Sequence, residues 1–448
     1  MHDISDLRGA DSGAADTASS PASTGSEASA PTGSTPDAAA SAATGSTPDS
    51  GTAASGAAPT TPAPVLTPAS ARTHGKTILL GEHTVLYGAP AIALPVAELG
   101  VVATVTPLGP GAQPLVESSV FTGPLAEAPE RLEPVIAALR STLVALSTSS
   151  DDSSAAGGTA PSARAVRTAR AARTARAAAK TAEPTIPELP PLHLRIDSAI
   201  PVARGLGSSA AVAGAVVDAV AAALGATLDP ETRFELVQAS ERIAHGTASG
   251  LDARTTISTA PIWFDHGVGR PTAVGAELTF VIADTGIASG TREAVGAVRA
   301  RHAADPDAVE GPVGRIAALT GAGRGLLASG DAIGLGATLD AVHAELRQLD
   351  VSSSELDRLA DTARAAGALG AKLTGGGRGG CLLALAADAA HATELAAALQ
   401  AAGAASTWTV RLPATPAEGA APNTSVDAAE RATSPAAPTT TPDPEDER

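Results

Sequence analysis

The chain has 448 residues, with 47 acidic against 30 basic side chains; the formal net charge of −17 repels polyanions and argues against a nucleic-acid-binding protein. Its one cysteine, Cys381, excludes an intramolecular disulfide and any cysteine-built zinc site. No apolar run reaches the length of a membrane span, and the start "MHDISDLRGADSGAAD" lacks the basic and apolar parts of a secretory signal, so a soluble cytoplasmic protein is expected.

Residues 1–69 are almost wholly Ala, Ser, Thr, Gly, Pro and Asp, with "TGSTPD" at both 32–37 and 44–49. Such a composition cannot bury enough apolar surface to offset the entropy of ordering, so a disordered tail is expected there and again over 413–448. A third biased stretch, about 146–190, reads as a low-complexity insertion. Its Arg164, Arg167, Arg170, Arg173, Arg176 and Lys180 recur mostly at a spacing of three, which spirals around a helix, and the run reads as a solvated surface. Roughly 300 residues remain, enough for one large domain or two modest ones.

Folded patterning begins near residue 69. The apolar stretch Thr77–Leu80 ends at Gly81-Glu82-His83, and "AIALPV" and "GVVATVTP" follow with the alternation of strands. A loop carrying Lys76, Glu82 and His83 is expected in this β-rich part. Leu192, Leu194 and Ile196 next mark a half-buried strand, and "SAIPVARGLG" leads into an Ala- and Val-rich helix from Ser208 to Leu224.

"GLGSSAAVAG", 205–214, satisfies G-x-G-x-x-A, but a dinucleotide unit would continue into a second strand, and here "ATLDPETRFELVQASERIAHG" runs into another helix. No G-x-x-x-x-G-K-[ST] is present either. Loop amides and a helix N-terminus make a positive concavity suited to phosphate oxygens, and Ser208 and Ser209 suit hydroxyl contacts to phosphate or Mg²⁺. The next helix, from about Glu231, carries Glu241 in its last turn, where the helix dipole disfavours an acid and a bound cation or Arg242 would remedy it. Asp252 follows in a Ser-Gly-rich loop, and His245 reads as a structural hydrogen bonder. Five glycines within 375–380, broken only by Arg378, stand between a helical stretch and a strand, which points to backbone lying close to a phosphate or to the first glycine loop.

Taken in order, "GKTILLGEHTVLYGAPAIALPV", "PVARGLGSSAAVAG", "ERIAHGTASGLDA", "IADTGIASGTREAVGAVR" and "VSSSELDRLADTARAAGALGAKLTGGGRGGC" resemble the GHMP kinase superfamily and, within it, the mevalonate kinase branch. The resemblance covers about 72–108 and 190–412. It implies an α+β fold: a ribosomal-S5-like N-terminal domain, about 70–270, and a ferredoxin-like α/β sandwich, about 271–412, with ATP and mevalonate meeting between them. It also implies that Arg204, Gly205, Leu206, Gly207, Ser208, Ser209 and Ala210 hold the ATP phosphates, with Gly375, Gly376 and Gly377 bracing that loop. Ser208, Ser209 and Glu241 would hold Mg²⁺. Asp252 would be the base beside Lys76, with Glu82, His83 and Thr285 on the acceptor side.

Departures from the family pattern are the insertion at about 109–190, Ala248 where Pro is frequent, and Arg378 where a small residue is common. Phosphomevalonate, homoserine or sugar kinases are the sister readings, and a non-catalytic regulator of the same fold or a surface-tethered adaptor using the arginine run are the others. Oligomeric state is left open, a homodimer included.

Overall fold

The computed structural model describes residues 65–147, 189–246 and 248–415. The expected tails and insertion lie outside these residues except at their edges, as does the arginine run.

Two strands begin the fold, β1 (Ala69–Leu80) and the 17-residue β2 (Ala91–Pro107), paired antiparallel along most of their length. On its other edge β2 pairs through Val101–Pro107 with β5 (Leu192–Ser198) and through Ala91–Ala93 with β6 (Ile262–Asp265). The short strands β3 (Leu115–Ser118) and β4 (Thr122–Pro124) extend the sheet beyond β5, and β7 (Val268–Pro271) extends it beyond β6. The "AIALPV" and "GVVATVTP" strands expected separately are therefore one continuous strand. Lys76 belongs to β1, where it faces Pro95 of β2, and not to a loop.

Helix α1 (Glu133–Ser147) corrects the expected insertion at 109–190. Val135, Ile136, Ala138, Leu139 and Leu143 are buried at helical spacing, so residues 115–147 belong to the core of the first half. Helix α1 packs on α2 (Ser208–Ala223) and α3 (Pro230–His245), and α2 lies across β1 and β2. Helix α2 is buried on nearly every side, which its all-round Ala and Val composition permits. Helix α3 starts where Asp229 accepts from the Glu231 and Thr232 amides, with Pro230 in the first turn.

The second sheet has the order β11 (Ser406–Leu412), β8 (Leu278–Asp284), β10 (Cys381–Ala386), β9 (Gly370–Thr374), antiparallel throughout. A one-turn helix, α4 (Leu251–Thr255), precedes it in the chain; α5 (Thr291–Ala304), α6 (Asp307–Ser329), α7 (Ala332–Gln348) and α8 (Ser354–Ala365) connect β8 to β9. Helix α9 (Ala389–Ala401) connects β10 to β11, which completes a split β-α-β pattern. Both faces of this sheet are covered. Val281 and Ala283 face Leu359, Leu395 and Leu399, while the alternate residues Phe280 and Ile282 join the larger core that also holds Leu79, Leu80 and Val342.

Candidate functional site

Strand β1 approaches β9 through side chains. Thr374 Oγ1 receives the Ile78 amide at 3.0 Å and lies 3.0 Å from Thr77 Oγ1 and 3.1 Å from the Ile78 carbonyl. Beside it Lys372 Nζ bonds the Glu82 carboxylate, and it donates to the Leu373 carbonyl at 2.7 Å. Both members are fully buried. Loss of water pushes the Glu82 carboxyl up and the Lys372 ammonium down, and each partner's charge opposes the other's shift.

Lys76, two residues before Ile78 in β1, makes the second pair. Its Nζ lies 3.1 Å from Asp252 Oδ1, with the lysine 4% and the aspartate 39% exposed. Asp252 sits in helix α4, and not in the loop its Ser-Gly neighbours suggest, because Gly250 at φ +96° turns the chain directly into that helix. Gly207, at φ +72°, closes the other side of Lys76: a Cβ there would come within 2.7 Å of Lys76 Cγ. Only glycine suits that position.

Gly207 is also the residue before α2, whose start has no side-chain cap. The first-turn amides of Ser208, Ser209 and Ala210 are therefore available to an anion. Leu206 is buried and its carbonyl receives the Lys76 amide at 2.9 Å, which ties the loop to β1. Gly205 meets the second glycine turn: a Cβ on Gly375 would lie 3.3 Å from Gly205 Cα. Gly376 and Gly377 pack instead against Thr291 and Val351. The Arg204 side chain turns away from the loop, its Nε 2.8 Å from the Asp284 carboxylate and its Nη2 3.1 Å from the Gly286 carbonyl.

Glu241 is buried beside Ser209, whose hydroxyl donates to it. Burial and the neighbouring Asp252 charge push its carboxyl up to about 7, against the opposing pull of Ser209 and Lys76. Its Oε1 has no hydrogen-bond partner among the described residues, and His245 Nε2 lies 3.8 Å from Oε2. A carboxylate short of cationic partners beside a serine hydroxyl fits a hard divalent cation, and Mg²⁺ needs only one or two protein oxygens. Among the described residues no cluster of three or more His, Cys, Asp or Glu is arranged around a metal. A cleft of about 550 Å³ adjoins Ser209 and is lined by Arg131, Glu133, Ile243 and His245.

The remaining expected residues are placed less openly. His83 takes φ +62° and Nε2 donates to the Gly376 carbonyl at 2.9 Å, leaving Nδ1 buried without a partner among the described residues. Burial lowers its pKa. Thr285 is buried and its hydroxyl donates to the Gly380 carbonyl at 2.8 Å. Glu82 and Thr285 are thus committed to internal partners. Lys372, Thr374 and Asp284 were missed by sequence reasoning; Lys372 and Asp284 each left a signal, as the lone charge in the buried strands "GAKLT" and "LTFVIAD". Arg378 is held by Asp350, with Nη2 2.9 Å from the carboxylate.

Residues 168–258 match the profile "GHMP kinases N terminal domain" and residues 318–405 match "GHMP kinases C terminal". The mevalonate kinase of Pyrococcus horikoshii is 36% identical over 217 residues, 47% of this chain and 64% of that relative, so the chain spans less than two thirds of its length. The mevalonate kinase of Aeropyrum pernix is 30% identical over 330 residues, covering 71% of this chain and 88% of the relative. Among solved structures, mevalonate kinase of L. major in complex with R-mevalonate aligns over 79% of this chain and 99% of its own with a TM-score of 0.59; at 24% identity this likeness concerns the fold. The long match to the Aeropyrum relative, joined to the two profile matches in the same order along the chain, makes this chain a member of the GHMP kinase family.

Proposed function

We propose that the chain transfers the γ-phosphoryl group of ATP to the primary hydroxyl of mevalonate, giving 5-phosphomevalonate and ADP. The observation that carries the reading is the Lys76–Asp252 pair, 3.1 Å apart and open on the aspartate side, beside the uncapped start of α2. The names of the curated relatives supply the acceptor.

Phosphoryl transfer asks for positioning and charge stabilisation more than covalent help. In this reading the amides and hydroxyls of 205–210 hold the phosphate oxygens, and Gly375 braces the loop from behind, with Gly376 and Gly377 packed on Thr291 and Val351. The nucleoside extends into the cleft beside Ser209. Ser208, Ser209 and Glu241 would hold Mg²⁺, which would neutralise phosphate charge there. Asp252 receives or orients the acceptor hydroxyl's proton, and Lys76 adds positive charge toward the transferring group. Glu82, His83 and Thr285 shape the acceptor side from behind, as buried scaffolding. The two sheets correspond to domains of about 70–270 and 271–412, in a cytoplasmic enzyme.

The test is Mg²⁺-dependent ADP release by the purified full chain against mevalonate, phosphomevalonate, homoserine and galactose. Turnover on mevalonate alone is expected. Turnover on another acceptor discards mevalonate and keeps the chemistry; ATP binding without turnover on any of them discards the kinase.

A further inference from the structure

The helix carrying Asp252 is five residues long, and one isolated turn has no stability of its own. The buried Leu251 and Ala253 seat it on the core, and the rest of its hold on the site comes from α3. The Phe234 ring lies under Gly250, where a Cβ would come within 3.3 Å of Phe234 Cζ. The Arg254 guanidinium carbon stacks on the other part of the same contact, 3.5 Å from the Phe234 ring centroid. One ring therefore touches the residues two before and two after Asp252. Arg254 Nη2 then donates to both Glu231 oxygens, at 2.9 and 2.7 Å, and the Arg254 stem lies against Gly269 of β7, 3.1 Å from where a Cβ would stand. Arg254 is only 19% exposed in this arrangement.

We infer that Arg254 is a positioning residue for the phosphoryl transfer: stacked on Phe234 and tied to Glu231, it fixes the rotation of helix α4 and so keeps the Asp252 carboxylate beside Lys76. The inference rests on the kinase reading, in which Asp252 meets the acceptor hydroxyl. A planar guanidinium suits the place best, because an ammonium keeps an attraction to the ring face but cannot lie flat on it while spanning both Glu231 oxygens. Released from α3, the turn rotates and carries Asp252 off its place, and a displacement of about 1 Å at a reacting group costs up to about a hundredfold in rate.

The experiment compares R254M and R254K with the wild-type chain and places R254M in an Asp252→Asn background. Expected are a fall in kcat of about tenfold or more for R254M, a smaller fall for R254K, and a KM for ATP within about twofold of wild type. In the D252N background R254M adds no further loss, since both changes act through one carboxylate. An unchanged kcat, a loss confined to KM, or an equal further loss in the D252N background overturns the inference. If another acceptor is the one turned over, the same measurements apply to it and only the mevalonate reading falls. If none is turned over, the crystal structure of R254M decides: a Lys76–Asp252 separation clearly longer than 3.1 Å supports the positioning role, and an unchanged one overturns it.

Discussion

Lys76 and Lys372 each face one carboxylate across a short distance, but their surroundings differ. Lys372 and Glu82 are both sealed from water, and Lys372 also bonds backbone carbonyls of β1 and β9. Lys76 is nearly as buried, at 4% exposed, while its partner Asp252 remains 39% exposed. A pair closed on both sides acts as a latch between the two halves. A pair open on one side keeps a carboxylate that an incoming hydroxyl can reach. The same two residue types thus hold the site together in one place and serve its chemistry in the other, and exposure decides which.

Breaking the open pair has the largest expected effect. Asp252→Asn lowers kcat by about 10²–10⁴-fold, the range of a lost proton-transfer group, while the melting temperature stays near wild type; steady-state kinetics and a thermal melt on one preparation check both. The closed pair behaves in the opposite way. Lys372→Met leaves Glu82 buried without its cation and destabilises the fold by about 3–5 kcal/mol in a denaturant titration. A Lys372→Met chain as stable as wild type would show that the latch carries no weight.

Gly207→Ala sharpens the comparison from the side of Lys76. It forces a left-handed residue with a Cβ into the lysine stem, costing about 1–3 kcal/mol and lowering kcat as the ammonium is displaced. Equal kcat with lower stability would mean that Lys76 adapts. The last expected effect is a slope spread over more than two pH units. Without nucleotide or divalent cation, the Glu241 carboxyl sits at about 7 in the folded chain against an ordinary 4.5, so the folded state keeps a proton that the unfolded state has released. Stability therefore falls as pH rises from about 4.5 through about 7 and levels off above, and Glu241→Gln flattens that fall in urea titrations across the window.

The regular parts of this architecture were legible because each carries its own period. Helix α2 reads from Ala and Val between two glycines, and α3 from the apolar spacing of Phe234, Leu236 and Val237, although Ile243 on the same reading is exposed. Helix α4 was not legible: five residues are too few for any period to register. Residues 115–147 fall inside the expected insertion because the biased stretch behind them hides where apolar spacing ends, although Leu139 and Leu143 carry it. For the site, the sequence named Lys76, Asp252, Ser209 and Glu241, and these do gather in one place. It also named Arg204, Glu82 and Thr285, whose side chains turn to internal partners.

By itself, the sequence determined what depends on local order: which segments become strands and helices, where glycine permits a left-handed turn, and which motifs follow one another along the chain. Only the tertiary structure decided which charges meet. Lys372 and Glu82 are 290 residues apart, and Lys76 is far in sequence from Asp252. The Lys372–Glu82 pair depends on the two sheets docking through Thr77, Ile78 and Thr374, and the Lys76–Asp252 pair on α4 packing within the first half. Burial, which sets whether a charged pair is a latch or a reactive group, is a property of that packing.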